Sequence, residues 1–440
     1  MIDQSKLLET LNEWNYWNRE LPDTVAREGY ESEVLRKATT GEIVILKGVR
    51  RSGKSTILIN TIKRLIADGI DRKNILFINL EDPRFINNLN VDLLSQLRDT
   101  YLEYLNPSGA PYIFLDEIQN ISGFEKWALK EYELRTSRLM LTGSNAKLLS
   151  REIGSALSGR YLDVLVFPLS FAEYLAFKGI HIKNRLDFTQ HRIQINRALE
   201  EYLTFGGFPR VALTDEPELK KAELKAYFDS ILLRDVVTRY RLENVDALMG
   251  LSVFLLSNIS NLLSLNALKN HFKLSFDLIN RYVEYLENAY LIFRVPLFDW
   301  SLKRQQVNPK KVYAIDTGLS HIVSFRVGQK TGDRLENLVF LELLRQGKEI
   351  YYYKTTGNLE VDFVVKHDEQ ITQLIQVSAA IDDQKTKARE IKALIKASNE
   401  LSHGQAAELI LLVPDVNETV EHDGKEVHIR DVKGWLLGIH

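Results

Sequence analysis

At 440 residues the chain is too long for one ordinary core, and two to four domains are expected. Its 45% hydrophobic and 26% charged residues are those of a soluble globular protein, and the lack of cysteine excludes disulfides, thiolate zinc sites and a cysteine nucleophile. A formal net charge of −2 gives no global pull toward nucleic acid, so any such binding must come from a local patch. The N-terminus, Met1 to Lys6, lacks the basic-then-apolar pattern of a secretion signal. The most apolar stretch, Leu248 to Ile259, is too short to cross a bilayer. A cytoplasmic, multidomain chain with no membrane partner is expected.

Residues 1–40 are expected to form two helices, from Gln4 to about Arg19 and from Pro22 to about Ala38. Trp14, Tyr16 and Trp17 either wall an adenine pocket or pack on the core. Glu42 to Lys47 is an apolar run of strand length, and Gly48-Val49-Arg50-Arg51-Ser52-Gly53-Lys54-Ser55-Thr56 follows it. That stretch fits the phosphate-binding loop G-x-x-x-x-G-K-[ST]. Residues 56–67 then have helical spacing, with Ile57, Leu58, Ile62, Leu65 and Ile66 apolar. Strand, glycine-bounded loop and helix is the geometry needed to point backbone N–H groups at phosphates. Gly48, Arg50, Arg51, Ser52, Gly53, Lys54, Ser55 and Thr56 are the expected ATP contacts. Lys54 is expected on the β- and γ-phosphates and the Ser55 hydroxyl on Mg²⁺.

A second buried strand, Asn74 to Leu80, ends at Glu81-Asp82, and a helix from Val91 to Leu105 follows. Pro111 to Glu117 then runs four apolar residues into Asp116-Glu117, the Walker B arrangement. Asp116 is expected to hold Mg²⁺ and Glu117 to orient and deprotonate the attacking water. The extra strand between the two motifs marks the P-loop ATPases with a catalytic glutamate, not the nucleotide kinases or GTPases. After a helix from Phe124 to Arg135 comes the strand Arg138 to Thr142, where Ser144 or Asn145 is a candidate γ-phosphate sensor. Arg160, before the strand Tyr161 to Phe167, is either an arginine finger offered to a neighbouring subunit or a surface ion pair. Asn79 is a further candidate, to hold Glu117 inactive until a partner binds.

Leu-Asp-Glu-Ile-Gln at 115–119, Leu-Thr-Gly-Ser at 141–144, Ser-Gly-Arg at 158–160 and Phe-Pro-Leu-Ser-Phe-Ala-Glu-Tyr-Leu at 167–175 join the phosphate loop in a recognisable series. Gly-Gly-Phe-Pro at 206–209, Leu-Leu-Arg-Asp-Val-Val at 232–237 and Glu-Val-Asp-Phe-Val-Val at 360–365 continue it. From about residue 30 onward the chain resembles the large prokaryotic family of AAA-type ATPases fused to a C-terminal domain of unknown function. The N-terminal motifs are the specific ones. The resemblance implies an AAA-like core, a winged-helix segment and a restriction-endonuclease-like C-terminal fold.

Residues 169–240 read as mostly helical. Helices are expected at Asp246–Ser257, Ser264–Phe272 and Ser275–Leu286, then two extended stretches, Tyr290–Leu297 and Lys311–Ile315, joined by residues 299–309. Helix–turn–helix with a two-stranded wing is a DNA-reading architecture. Over residues 261–312 eight Lys/Arg face four acids, and Lys303, Arg304, Lys310 and Lys311 suit phosphate contacts. The third helix is poor in base-reading groups: Asn280 and Arg281 are balanced by Asp277, Glu284 and Glu287. DNA contact and protein docking both remain open.

The last third alternates: helix Asp333–Arg345, strands Glu349–Lys354, Leu359–Lys366 and Ile371–Val377, helix Gln384–Ala397 and strand Glu408–Val413. A restriction-type centre needs carboxylates on Mg²⁺ and a lysine near the attacking water. Glu336 and Asp362 fit the first two places, but Gln376-Val377-Ser378 stands where Glu-x-Lys belongs. Glu360 shares a strand face with Asp362, and Lys385 is the candidate to stand in for the missing lysine.

The expected fold class is α/β. Residues 1–168 hold N-terminal helices and an AAA-type P-loop domain, 169–244 a helical lid-like region, 245–325 a winged helix, and 326–440 a degenerate restriction-endonuclease-like domain. The expected function is Mg²⁺-dependent ATP binding and hydrolysis coupled to DNA or a protein partner, with homo-oligomerisation in view. The alternatives are a nucleotide-gated switch with little turnover and an ATP-controlled nuclease.

Overall fold

Five short apolar runs pair side by side, all parallel, in the order β2-β3-β4-β1-β5: β1 Ile43–Lys47, β2 Ile75–Asn79, β3 Tyr112–Asp116, β4 Arg138–Gly143 and β5 Tyr161–Leu165. The computed structural model describes residues 3–144, 157, 159–324, 331–381, 384–401 and 407–439. The chain falls into two units, residues 1–167 with 288–290, and residues 168–287 with 291–440. In the first unit the strand period of two sorts side chains onto both faces. Val44, Leu46, Phe77, Phe114 and Met140 pack with α2 (Glu28–Ala38) and α3 (Lys54–Ala67). Ile43, Ile45, Leu76, Ile78, Ile113 and Leu115 pack with α1 (Gln4–Trp14), α4 (Val91–Leu105) and α5 (Phe124–Leu134). The result is a parallel sheet covered on both sides.

The N-terminal segment departs from expectation. The first helix stops at Trp14 instead of Arg19, and the second begins at Glu28 instead of Pro22. The cause is the edge strand β2, whose outer backbone groups need partners. Asn15 supplies them: its side chain donates to Phe77 O (2.9 Å) and accepts from Phe77 N (2.6 Å). The Trp17 indole donates to Ile75 O at 2.8 Å, and Trp14 Nε1 to Asp82 Oδ2 at 2.7 Å. Tyr16 is buried against Phe77. These aromatics are engaged in covering the edge of β2, and the adenine-wall alternative gives way to packing.

In the second unit, the helices Phe171–Phe177, Arg192–Phe205, Pro209–Leu213 and Pro217–Ser230 precede a π-helical stretch, Ile231–Thr238. The Gly206-Gly207 turn has a steric reason. Gly206 sits at φ +73°, and a Cβ there would lie 1.9 Å from Asp316 Oδ1. Asp316 is buried, accepts from Gly207 N at 2.7 Å and from Leu319 N at 3.1 Å, and so caps the helix Thr317–Val323.

The helices Val245–Leu256, Leu265–Phe272 and Phe276–Asn288 accompany three antiparallel strands in the order β6-β8-β7: β6 Asn261–Leu263, β7 Ile292–Val295 and β8 Lys310–Ala314. β6 was not expected. The β7–β8 connection carries a short helix, Leu302–Val307, with Lys303 and Arg304 exposed. Lys311 contradicts its expected place among the phosphate contacts. It is 1% exposed and ion-paired to Glu336, Glu360 and Asp362, because alternate residues of β8 face inward.

The last sheet has the order β13-β14-β12-β11-β10-β9. Its strands are β9 Glu349–Lys354, β10 Glu360–His367, β11 Gln370–Val377, β12 Glu408–Val413, β13 Glu418–His422 and β14 Lys425–Asp431. Phe363, Val365, Ile375 and Ile410 face the helix Thr331–Arg345, and Val361, Val364, Leu374 and Leu411 face the helix Gln384–Leu401. Val361 and Val364 share a face although three residues apart, which requires the register shift observed between them. That irregularity holds Asp362.

Gly206→Ala is expected to lower stability by about 2 kcal/mol or more, through φ strain and collision with Asp316. A thermal melt unchanged from that of the parent would remove the Asp316 contact from the native state.

Candidate functional site

β1 ends at Lys47, and the chain must then turn into α3. Gly48 makes the turn at φ +151°, where a Cβ would stand 2.1 Å from Val166 O. Gly53, at φ 95°, and Arg51, at φ 71°, complete the curl. The loop therefore arches over the N-terminus of α3, whose first amides lack intrahelical partners and carry the positive end of the helix dipole. Lys54 is buried, and its Nζ donates to Gly48 O and Val49 O, each at 3.0 Å. Its ammonium thus lies inside the curve of the loop. Ser55 and Thr56 occupy the first turn of α3, half-buried. Ser52 is buried, Arg51 is exposed, and Arg50 Nη1 pairs with Glu81 Oε1 at 3.0 Å.

The strand order brings the acids to the same edge. β4 lies between β1 and β3, so the last side chains of β4 stand between the phosphate loop and Walker B. Thr142 uses this position. Its hydroxyl donates to Asp116 Oδ1 at 2.5 Å and accepts from Glu117 N at 2.9 Å. Burial, then the neighbouring charge of Glu117, push Asp116 up to about 6, while Thr142, Ser55 and Lys54 oppose the rise. Glu117 turns out of β3 at φ 60°, and its Oε2 accepts from Gln119 Nε2, which also reaches Ser144 Oγ at 3.4 Å.

An AAA domain family matches residues 40–175, and two families described as domains of unknown function, DUF8612 and DUF4143, match residues 196–330 and 331–429. An uncharacterised protein of Methanocaldococcus jannaschii is 34% identical over 408 residues, covering 91% of this chain and 88% of that protein. The chain belongs to this AAA-domain family. Another member, an uncharacterised protein of Haemophilus influenzae, is 31% identical over 420 residues, covering 94% of this chain and 98% of that protein. Among solved structures, the chain is similar to the Walker-type ATPase of Pyrococcus abyssi at 16% identity and a TM-score of 0.41, covering 69% of this chain and 99% of that one. It is also similar to AMPPCP-bound DnaA of Aquifex aeolicus at 14% identity and a TM-score of 0.28, covering 62% and 93%. The matched AAA domain is a nucleotide-binding P-loop ATPase domain and contains every residue of the loop and acid pair described above. Among the described residues, no helix is long and apolar enough to cross a membrane.

The remaining candidates are dispersed. Ser144 is buried beside Gln119, and Asn145 lies outside the described residues. Asn79 accepts from Glu81 N at 2.9 Å. Arg160 pairs with Glu133 at 3.5 Å, 40% exposed, at the start of β5. β5 runs parallel to β1, so Arg160 stands near the edge opposite the phosphate loop of its own chain, roughly 16 Å away by strand rise.

Three contributors carry no role in the sequence reading. Thr142 and Gln119 stand in the motifs 141–144 and 115–119 without an assigned function, Thr142 as the last residue of a strand. Arg27 was placed inside an expected helix; instead its Nη1 donates to Ser52 O at 3.0 Å and Phe167 O at 2.8 Å, supporting the loop from behind.

With Asp116 pushed up to about 6 by burial, and a hard cation needing its ionised form, Mg²⁺-linked nucleotide affinity is expected to fall about fivefold from pH 6 to pH 5 and to level off above pH 7. Titrating a fluorescent ATP analogue with and without Mg²⁺ at each pH tests this, and a flat profile contradicts it.

Proposed function

We propose that this chain is a Mg²⁺-dependent ATPase whose nucleotide state governs engagement of DNA or a protein partner. The observation that carries the reading is Thr142. One hydroxyl ties Asp116 to the Glu117 backbone at the sheet edge where Lys54 and Ser55 begin α3. Ser55, in the first turn of α3, and Asp116, at the end of β3, form a hard-oxygen pair that suits Mg²⁺. When bound, that ion neutralises charge on the β- and γ-phosphates. The chain supplies the rest. Gly48 to Thr56 cradle the phosphates, with Arg50 and Arg51 at the rim and the Lys54 ammonium inside the loop. Glu117 accepts the proton of the attacking water as the bond from the γ-phosphorus to the β–γ bridging oxygen breaks. Gln119 holds the Glu117 carboxylate in place until water and γ-phosphate arrive. Ser144 and Asn145 fill the sensor position, and Arg160 acts only on a neighbouring subunit.

Two observations support a partner. The element order of residues 245–314 matches a winged helix, and Lys303 and Arg304 are exposed between its last two strands. The third helix offers little to base edges, since Asn280 donates to Glu284 at 2.9 Å, so backbone contact is favoured over sequence readout. A cytoplasmic location follows from the same reading.

The test is ATP turnover of the purified chain, with and without duplex DNA at low salt. Glu117→Gln is expected to bind ATP like the parent and to lose turnover about 100-fold or more. Parent-like hydrolysis by that variant would exclude Glu117 from the mechanism. Stimulation by duplex that fades steeply with salt identifies DNA as the partner, and indifference to duplex favours a protein partner. Gln119→Leu is expected to alter kcat with little change in KM. An equal loss of ATP binding would reassign Gln119 to loop structure.

A further inference from the structure

A second polar cluster lies in the unit that carries the six-stranded sheet. Lys311 projects from β8, and its Nζ lies 2.9 Å from Glu336 Oε1, 3.0 Å from Asp362 Oδ1 and 2.7 Å from Glu360 Oε1. Tyr313, two residues along β8, donates to the same Glu336 oxygen at 2.7 Å. Lys311 and Tyr313 are both essentially inaccessible to solvent, and Glu336 and Asp362 nearly so.

Glu336 and Asp362 are the two acids that a restriction-type centre would turn toward Mg²⁺, but their surroundings do not fit a metal. Glu336 Oε1 is taken by Lys311 and Tyr313. Asp362 Oδ2 accepts from Val377 N at 3.0 Å, and its Oδ1 faces Lys311. Gln376, in the third position, turns its oxygen toward Asp362 N at 3.2 Å and so is tied to the backbone of β10. Lys385 is exposed in the first turn of its helix, so the ammonium in this centre is that of Lys311. Among the described residues, no group of His, Cys, Asp or Glu side chains is disposed to hold a metal ion.

We propose that Lys311 is a resident cation: its ammonium occupies the place a divalent metal would take among Glu336, Glu360 and Asp362, which makes the cluster an ion-pair lock and not a metal-dependent hydrolytic centre. The lock has a clear mechanical consequence. β8 is the middle strand of the three-stranded sheet, Glu336 lies on the helix Thr331–Arg345, and Asp362 lies in the irregular stretch of β10. One ammonium therefore fastens three elements from two different sheets and a helix. Desolvation opposes charge on Lys311, but Asp362 and Glu336 outweigh it and hold the ammonium protonated. Removing the cation leaves three carboxylates facing one another in a poorly solvated site, which then lacks only a cation.

The experiment uses the full chain, stripped of metal and free of nucleotide, in an Asp116→Asn background that silences the phosphate-loop metal ligands. Mn²⁺ binding is followed by electron paramagnetic resonance and stability by thermal melting. With Lys311 present, no Mn²⁺ binding dependent on Asp362 is expected at millimolar metal, and Mn²⁺ leaves Tm unmoved. Lys311→Met is expected to lower Tm by several degrees, and Mn²⁺ is then expected to restore part of the loss, an effect abolished by adding Asp362→Asn. Asp362-dependent Mn²⁺ binding with Lys311 in place would overturn the proposal, as would Mg²⁺-dependent plasmid cleavage lost on Asp362→Asn. An unchanged Tm in Lys311→Met would overturn the lock. If Lys311→Met does not fold, the Mn²⁺ measurement on the chain with Lys311 still decides, and Glu360→Gln, which is partly exposed, supplies the stability arm with a smaller Tm loss.

Discussion

The structure of the nucleotide site depends on how closely the backbone after β1 approaches the backbone after β5. Val166 N donates to Lys47 O at 2.7 Å, and Val166 O stands where any side chain at position 48 would begin. With Gly48 the chain can double back at once, and Lys54 falls under the arch it forms. Everything else at the site inherits that position. The α3 dipole points into the loop, the Lys54 ammonium fills its curve, and Arg27 grips Ser52 O from behind. A larger residue at 48 would have to push the backbone at the buried Val166 away from β1, and packed interiors resist such movement.

Parallel strand order is the second determinant. Because β4 separates β1 from β3, one threonine hydroxyl can organise both Walker B acids, and the price of burying Asp116 and Glu117 together is a carboxyl that ionises late. The same physics appears in the other unit with a different solution. There the crowded carboxylates are met by a lysine from a neighbouring sheet, and Asp316 is met by the amides of Gly207 and Leu319. Buried charge is tolerated in each place only where a specific partner has been brought to it.

Edge protection explains the N-terminal region. A parallel sheet covered on both faces still exposes the outer backbone of its edge strands, and Asn15 and Trp17 provide the missing partners for β2. The helical periodicity of residues 15–19 was real, but pairing with Phe77 and Ile75 overrode it, since an unpaired backbone group costs more than a turn of helix gains.

The sequence by itself determined the phosphate loop, the Walker B acids and the described strands other than β6, β13 and β14, because each depends on local pattern: glycine spacing, a lysine at a helix start, and apolar runs closed by acids. It also indicated the three longer helices and two of the strands of residues 245–314, but neither β6 nor the short helix Leu302–Val307. What it could not determine were the partners chosen across large sequence distances. Lys311 reads as one more basic residue in a wing until β8 turns it toward Glu336 and Asp362, 25 and 51 residues away. Thr142 reads as a strand end until strand order places it between two motifs, and Arg27 as a helix residue until its guanidinium meets Ser52 and Phe167. Local pattern is written in neighbouring residues. Which buried charge meets which partner is decided only when the strands are laid side by side.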